Sequence, residues 1–270
     1  MNNKQKESAV KELYEKYPYP SRDDPSEEDV KYFAKWVAKI FGENTTFWKD
    51  KTVLELGCGT GELACGLALC GASVTGIDFS STSIKHATSL AKKLGVANKA
   101  KFIEKNILEI TSDDFNRGKY DVCIALGSLH HTVAPRKGFE ILSSKAKQNG
   151  LVIVGLYNKY SRARQRVRRV ILRAFCGNDI EKRITFGEKY FGTNGNKSWA
   201  ADKYGQIHES YHSILEVLKW FKEENLVFIA SKPKFKMPII DEIKWMMEKK
   251  EAFFVMVGKK EDKKRSGAKV

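Results

Sequence analysis

One stretch of ten residues constrains the fold of this chain more than any other. Val53 to Glu62 reads VLELGCGTGE, an apolar run that leads into three closely spaced glycines and then into a helical pattern. Glycine tolerates positive φ angles and lets the backbone approach a ligand closely. A strand, a glycine-rich turn and a helix in this order predict a ligand-binding turn at the end of the strand.

The spacing of these glycines separates the turn from two common nucleotide-binding turns. A dinucleotide fingerprint has Gly or Ala five positions after the first glycine, and this chain has Glu62 there. A large acidic side chain at that place would repel a pyrophosphate. A Walker loop is excluded too, because no Gly-Lys-Ser/Thr follows.

Asp78 is predicted to end the second strand, 21 residues after Gly57. In a doubly wound sheet this position lies beside the glycine turn, where a carboxylate can accept both hydroxyls of a ribose. Asp78 could instead cap the next helix together with Ser80. The spacing from Gly57 favours the ribose.

Short apolar strands alternate with helices along most of the chain. This alternation predicts right-handed βαβ units and an α/β doubly wound, mostly parallel sheet that is covered on both faces. The predicted strands are Thr52–Leu56, Ser73–Ile77, Ala100–Ile103, Asp121–Leu126, Leu151–Leu156, Leu226–Ala230 and Phe253–Val257. The predicted helices are Lys4–Tyr17, Ser26–Phe41, Glu62–Leu69, Ser80–Leu94, Arg136–Lys147 and Ser213–Glu224.

We divide the chain into four parts on this pattern. Residues 1–48 form an N-terminal helical lid, and residues 49–157 form the core that carries the glycine turn. Residues 158–211 form an inserted helical cap after the fifth strand, with a Gly/Asn-rich loop from Gly192 to Asn196. Residues 212–270 complete the core and end in a polar tail that we expect to be frayed.

Composition predicts an ordinary globular protein in the cytoplasm. Apolar residues make up 42% of the chain, yet no apolar run reaches the roughly 18 residues of a transmembrane helix. The N-terminus has no apolar segment typical of a secretory signal. The five cysteines lack CxxC spacing and are interpreted as reduced thiols, and neither they nor the five histidines predict a metal site.

Four segments together resemble a known family. VLELGCGTGE, VTGIDFS, EKNILEI and YDVCIALGSLHHT resemble the successive motifs of class I S-adenosylmethionine-dependent methyltransferases, in their ubiquinone/menaquinone-methyltransferase-like branch. The resemblance covers roughly residues 50–157 well and the last two strands weakly. It implies a Rossmann-like sheet of seven strands in the order 3-2-1-4-5-7-6, the last strand antiparallel, and an enzyme whose cofactor is S-adenosyl-L-methionine.

The resemblance also implies the residues that hold this cofactor. Glu55 and the glycine turn would hold the methionine half, and Asp78 would hold the ribose. Phe79, Asn106 and Ile107 would border the adenine, although the family more often has Asp where this chain has Asn106; an amide can still bond the exocyclic amine. The implied cofactor residues are Glu55, Gly57, Cys58, Gly59, Thr60, Gly61, Asp78, Phe79, Asn106, Ile107 and Leu126.

Methyl transfer asks the protein mainly to align the nucleophile, the methyl carbon and the sulfur. A base is needed only where the acceptor is a hydroxyl or an acidic carbon. His130 and His131 follow the fourth strand at its carboxyl end, where such sheets bind ligands. Either histidine could be that base, or the pair could simply begin the next loop; both interpretations stay open.

The net charge of +15 is concentrated in the second half of the chain. The first 150 residues carry 22 Lys and Arg against 19 Asp and Glu, and the remaining residues carry 26 against 14. Lys159 to Arg173 has six Arg, one Lys and no acid. The residues predicted to form an apolar face of this helix are Ala163, Val167, Val170, Ile171 and Ala174.

Three interpretations of this basic helix stay open. It is a solvated surface helix docked on the core, or it binds an anionic substrate or the phosphates of nucleic acid, or it makes weak contact with an anionic membrane. The sequence has no RNA-recognition or helix-turn-helix signature.

Aromatic residues of the lid and the cap are candidates for an acceptor pocket, or for ordinary packing. They are Tyr17, Tyr19, Tyr157, Tyr160, His208, Tyr211 and His212. We expect a small organic acceptor, because the cap resembles a pocket roof and the chain shows no appended RNA-binding domain. An RNA methyltransferase and a non-catalytic cofactor-binding module stay as alternatives.

Overall fold

A single sheet of seven strands organises the molecule, in the order β3-β2-β1-β4-β5-β7-β6. The computed structural model describes residues 1–19, 24–115, 119–192, 196–248 and 252–261. The strands are β1 (Thr52–Leu56), β2 (Ser73–Asp78), β3 (Ala100–Glu104), β4 (Tyr120–Leu126), β5 (Ala146–Tyr157), β6 (Leu226–Lys232) and β7 (Phe253–Lys260). The parts of the predicted lid, cap loop and tail at 20–23, 193–195 and 262–270 lie outside the described residues.

Strands β1 to β5 run parallel, and β7 runs antiparallel to both of its neighbours, β5 and β6. This arrangement confirms the fold predicted from the motifs. Because these strands are parallel, the carboxyl ends of β1, β2 and β4 lie at one edge of the sheet. The direction in which successive strands are added reverses between β1 and β4. Ligands of doubly wound sheets bind at such a point.

Helices cover both faces of the sheet and extend beyond its ligand-binding edge. They are α1 (Asn3–Lys16), α2 (Glu27–Ile40), α3 (Glu62–Leu69), α4 (Ser81–Lys93), α5 (Pro135–Lys145), α6 (Ala163–Cys176), α7 (Ile180–Phe191), α8 (Lys197–Ala200), α9 (Ile214–Glu223) and α10 (Pro238–Met247). Helices α2 and α9 each begin with a capping box, at Ser26 and Ser213. Helix α10 was not predicted; it buries Glu242 and Trp245, while its apolar residues Ile239, Ile240 and Ile243 are exposed.

Two apolar clusters fill the space between the sheet and its helices. One lies under α5, α9 and α10 and includes Phe139 and Trp220. The other lies under α2, α3 and α4 and includes Trp48 and Leu67. A third cluster joins the N-terminal helix to the cap, because Leu13 of α1 packs with Leu172, Ile184 and Tyr204.

The prediction that the basic helix buries an apolar face was wrong. Val167 and Val170 of α6 are 60% and 65% exposed, whereas the helix buries Gln165, Arg169 and Leu172. The cause is a group of backbone carbonyls beneath it. Gln165 Nε2 donates to the carbonyl of Lys203 at 2.6 Å, and Arg169 Nη2 donates to that of Gln206 at 2.7 Å. Buried carbonyls need donors, so polar side chains turn inward and valines turn outward.

All five cysteines are free thiols, as predicted. Within the described ranges, none of the helices combines the length and the apolar character required to span a bilayer. The same residues contain no cluster of His, Cys, Asp and Glu suited to a metal ion.

Candidate functional site

The glycine turn after β1 requires glycine for two separate physical reasons. Gly57, Gly59 and Gly61 have φ angles of 75°, 51° and 81°, a region that side chains rarely adopt. A Cβ on Gly57 would lie 2.1 Å from Cβ of Ser128, and one on Gly61 would lie 2.7 Å from Cβ of Ala87. The turn is therefore held tightly between β4 and α4.

Asp78 joins this turn to the end of β2. Its Oδ2 accepts the backbone N–H of Gly59 at 3.0 Å, and its Oδ1 accepts that of Ser80 at 3.0 Å. Ser80, not Asp78, caps α4, because its hydroxyl accepts the N–H of Ser83. Burial raises the pKa of Asp78, although the backbone donors oppose the shift. The carboxylate is thus placed beside the turn, as the ribose interpretation requires.

A cavity of about 480 Å³ opens at the carboxyl ends of the strands, below the lid and the cap. Nine of the predicted cofactor residues line it: Glu55, Gly57, Cys58, Gly59, Asp78, Phe79, Asn106, Ile107 and Leu126. Thr60 and Gly61 belong to the same turn but lie beyond the lining. The N–H of Thr60 donates to the carbonyl of Tyr19, and Gly61 begins helix α3.

Glu55 presents a carboxyl group with an unused oxygen. It is 4% exposed, and its Oε2 has no hydrogen-bond partner among the described residues. Burial, and next the charge of Asp78, raises the pKa of Glu55 to about 8. A buried carboxylate of this kind suits a cationic ligand, because an ammonium group would satisfy both the oxygen and the charge. The methionine half of S-adenosylmethionine fits this requirement.

The side chain of Asn106 already accepts one hydrogen bond within the protein. Its Oδ1 accepts the N–H of Leu108 at 3.0 Å and starts a short helical turn, Ile107–Glu109. A carbonyl oxygen has two lone pairs, so one remains for an exocyclic amine.

Aromatic side chains also line the cavity. They come from the lid, the core and the cap: Tyr14, Tyr19, Phe33, Trp36, Tyr157, Trp199 and Phe253. Of the seven pocket residues that the sequence indicated, Tyr19 and Tyr157 are in this lining. Ligand pockets are typically apolar and aromatic with a few convergent polar groups, and this cavity has that character.

The structure places the other predicted pocket residues elsewhere. Tyr17 donates to Glu181 on the surface of the cap, and Tyr211 donates to Glu209 inside the cap. His208 Nε2 lies 3.1 Å from the carbonyl oxygen of Thr132, and His212 Nδ1 lies 3.0 Å from Glu216. Tyr160 receives a cation–π contact from Lys159. Among the described residues, these five are not part of the cavity lining.

The two candidate histidines are placed differently. His131 lines the cavity, and His130 does not. His130 is fully buried against Tyr157, with ring centroids 3.8 Å apart, and burial lowers its pKa well below the usual value. Burial also lowers the pKa of His131, but the nearby Asp202 charge acts in the opposite direction. Only His131 is therefore in a position to contact a bound acceptor.

A buried carboxylate that sequence reasoning missed lies beside His131. Asp202, in a π-helical turn at Ala201–Gly205, lines the cavity and accepts the hydroxyls of Tyr14 at 2.8 Å and Tyr157 at 3.2 Å. Its Oδ1 lies 3.6 Å from Nε2 of His131. No motif or periodic pattern marks Asp202, because its partners come from α1, β5 and the loop after β4.

Two largely buried arginines of the cap have partners within the protein. Arg162 lies over the ring of Tyr157, with Cζ 3.4 Å from the centroid. Arg162 and Arg169 both pair with Glu209, at 3.4 Å and 3.0 Å, and the Glu209 side chain is fully buried. These two guanidinium groups therefore stabilise the interior of the cap.

Comparison of the sequence with known proteins identifies a family and several relatives. A family model described as a methyltransferase domain matches residues 48–215. An uncharacterized protein of Synechococcus sp. is 23% identical over 250 residues, covering 82% of this chain and 59% of that protein. A ubiquinone biosynthesis O-methyltransferase of Rickettsia conorii is 34% identical over 111 residues, covering 41% of this chain and 36% of that protein. The chain thus spans about a third to three fifths of the length of these curated relatives.

A solved structure shares the fold across nearly the whole chain. Magnesium protoporphyrin IX methyltransferase from Synechocystis PCC 6803 with bound SAH superposes with a TM-score of 0.54 at 15% identity. The match covers 96% of this chain and 95% of that chain. At this identity the likeness concerns the fold alone.

Proposed function

The chain belongs to the methyltransferase domain family, and on this premise we propose that it transfers the methyl group of S-adenosyl-L-methionine to a small organic acceptor. One observation carries the proposal. The same cavity is lined by the glycine turn with Asp78 and by aromatic side chains of the lid, the core and the cap. A cofactor and an acceptor can therefore meet without leaving the protein interior.

The cofactor supplies an activated methyl group, since attack on it displaces a neutral thioether. The chain's own residues bind and orient it. Glu55 receives the ammonium group, Asp78 receives the ribose hydroxyls, and Phe79 with Ile107 flanks the adenine. These roles follow from the family resemblance and from the position of each residue in the cavity lining.

The aromatic side chains of the lining favour a small aromatic or apolar acceptor over RNA. The polar residues of the lining include Asp202, His131 and Thr132. A polynucleotide would need free cations near the cavity to neutralise its phosphates. Arg162 and Arg169, two largely buried arginines of the cap, are paired with Glu209 instead.

The test is a transfer assay with radiolabelled S-adenosylmethionine and fractions of a cell extract. Label in small metabolites supports the proposal, and label in RNA supports the RNA alternative. Gly59→Val, which fills the turn, is the control and should transfer no label. Calorimetry with S-adenosylhomocysteine completes the test. Binding without any transfer indicates a non-catalytic module, and absence of binding by the wild type overturns the proposal.

A further inference from the structure

The strongest unassigned feature is the hydrogen-bonded group around Asp202. Its carboxylate accepts Tyr14, Tyr157 and the Nε2 amide of Gln206, the last at 3.3 Å. The donors come from the lid, the core and the cap. Three donors aimed at two oxygens fix the orientation of the carboxylate, and they are the kind of partners an ionised carboxylate needs when it is buried.

The tautomer of His131 follows from its other contact. Its Nδ1 lies 3.3 Å from the backbone carbonyl oxygen of His208. A carbonyl only accepts, so Nδ1 carries the hydrogen and Nε2 of the neutral ring carries the lone pair. Oδ1 of Asp202 lies 3.6 Å from this nitrogen, too far for a hydrogen bond.

Nε2 of His131 and Oδ1 of Asp202 are both acceptors, and both residues line the cavity. Such a pair is complementary to a ligand group that donates a hydrogen bond. We propose that the acceptor carries a hydroxyl, that Nε2 of His131 takes its proton, and that Asp202 is the positioning residue for this base. The inference rests on the proposed methyl transfer and deepens it, since it names the class of acceptor.

The step balances without any further reagent. The acceptor oxygen forms a bond to the methyl carbon while the bond from that carbon to sulfur breaks, and the sulfur keeps its electron pair. The hydroxyl proton moves to Nε2 of His131. The products are a methyl ether and S-adenosylhomocysteine, and the new imidazolium lies beside the carboxylate of Asp202, which stabilises its charge.

The charged groups around His131 are consistent with this role. Asp202 and Glu209 favour its protonated form, and Arg162 opposes it. Tyr14 and Tyr157 lie edge-on to its ring, at 6.1 Å and 5.7 Å between centroids. The neighbouring rings of His130 and His208 have pKa values lowered by burial, so both are neutral near pH 7.

The first measurement uses the free protein labelled with ¹⁵N-histidine, so it needs neither cofactor nor acceptor. We expect the His131 signals of the wild type to report the Nδ1–H tautomer. Asp202→Asn should lower the titration midpoint of His131 by about one pH unit, because a facing carboxylate is lost. Asp202→Glu should restore most of the shift. The Nε2–H tautomer, or an unchanged midpoint in Asp202→Asn, would overturn the inference.

A matched control is another histidine–carboxylate pair, His212 with Glu216, which lies outside the cavity lining. Glu216→Gln should leave both the His131 titration and the turnover unchanged. If Glu216→Gln moves the His131 midpoint as Asp202→Asn does, the effect is general and Asp202 has no positioning role.

Turnover gives the second measurement, once the extract assay has identified a methylated product. The label should be found on oxygen. His131→Ala should lower kcat by about 10²- to 10⁴-fold, with KM nearly unchanged. Asp202→Asn should lower kcat by about tenfold to a hundredfold and shift the acidic limb of the pH profile. Label on nitrogen or carbon overturns the hydroxyl assignment but leaves methyl transfer intact, whereas absence of any label counts against the proposed function itself.

Discussion

The hydroxyl of Tyr14 lies 2.8 Å from Oδ1 of Asp202, although 188 residues separate the two in the chain. This contact fixes the N-terminal helix to the cap, directly over the cavity. Helix α1 is attached to the core as well, since the carboxylate of Glu15 accepts the backbone N–H groups of Ser81 and Thr82 at 2.7 Å and 3.0 Å. The lid therefore bridges the two walls of the site.

Tyr14→Phe should loosen this closure. The substitution removes one donor to Asp202 and the acceptor that Gln206 Nε2 uses at 2.5 Å, so the free energy of unfolding should fall by roughly 1–3 kcal/mol. Urea unfolding followed by circular dichroism measures the change. Tyr17→Phe is the control, because the Tyr17 hydroxyl donates to Glu181 at the surface and its loss should cost less. Equal losses for both variants would show that the buried contact has no special weight.

Glu55 should release a proton when S-adenosylhomocysteine binds at pH 7. Its pKa of about 8 in the free protein leaves most molecules protonated, and a ligand ammonium group favours the ionised form. Calorimetry in buffers with different ionisation enthalpies measures the released proton. Glu55→Gln cannot ionise, so its binding enthalpy should not depend on the buffer. A buffer-independent enthalpy in the wild type would contradict the ammonium assignment.

The same pKa predicts how the stability of the free protein depends on pH. The pKa of Glu55 is higher in the folded state than the usual 4.5, so its contribution to stability is present at low pH and is lost as the pH rises through about 8. The part of the free energy of unfolding that Glu55 contributes should therefore fall as the pH rises from about 4.5 to about 8 and then level off. Glu55→Gln should remove this part of the slope, which unfolding curves at several pH values can measure.

Asp78→Ala should weaken binding of S-adenosylhomocysteine by about tenfold to a hundredfold. The substitution removes a charged acceptor for the ribose and the brace on the N–H of Gly59. Asp121→Ala is the matched control. Asp121 is also a carboxylate next to a strand of the sheet, but it pairs with Thr52 and Lys147 at the opposite edge. Unchanged affinity in Asp78→Ala, measured by calorimetry, would remove the ribose assignment.

Gly57→Ala should abolish cofactor binding. The added Cβ would lie 2.1 Å from Cβ of Ser128, and the φ angle of 75° is strained for alanine. Gly95→Ala separates the two causes, because Gly95 has a φ angle of 68° but nothing within 4 Å of an added Cβ. It should lose roughly 1 kcal/mol of stability and keep full affinity for S-adenosylhomocysteine. Loss of affinity in both variants would mean that strain alone accounts for the effect.

Arg169→Gln should destabilise the protein, whereas Arg164→Gln should not. Arg169 is 9% exposed and pairs with the fully buried Glu209, so its removal leaves a carboxylate with one cation fewer. We expect a loss of roughly 2 kcal/mol or more for Arg169→Gln. Arg164 is exposed on the same helix, and its change should stay within about 0.5 kcal/mol. Thermal unfolding of both variants tests this, and similar melting temperatures would contradict a structural role for Arg169.

The sequence alone determined the parts of the protein that depend on local pattern. Strand β1 and helix α3 occupy the residues predicted for them, Thr52–Leu56 and Glu62–Leu69. The turn between them requires glycine because of its own φ angles, which is a local property. The position of Asp78 beside that turn followed from its place at the end of the next strand, since parallel strands end at one edge.

Only the tertiary structure decided which residues lie together around His131 in the cavity. His130 and His131 are adjacent in the sequence, yet one packs on Tyr157 and the other lines the cavity. Asp202 acquires its role from donors on three separate segments, and the outward valines of α6 follow from carbonyls that lie 37 and 38 residues further along the chain. Such contacts leave no periodic signal, because the burial of each residue is set by whichever segment packs against it. The sequence therefore identified the cofactor turn and the histidine pair, but it could not separate His131 from His130 or indicate Asp202.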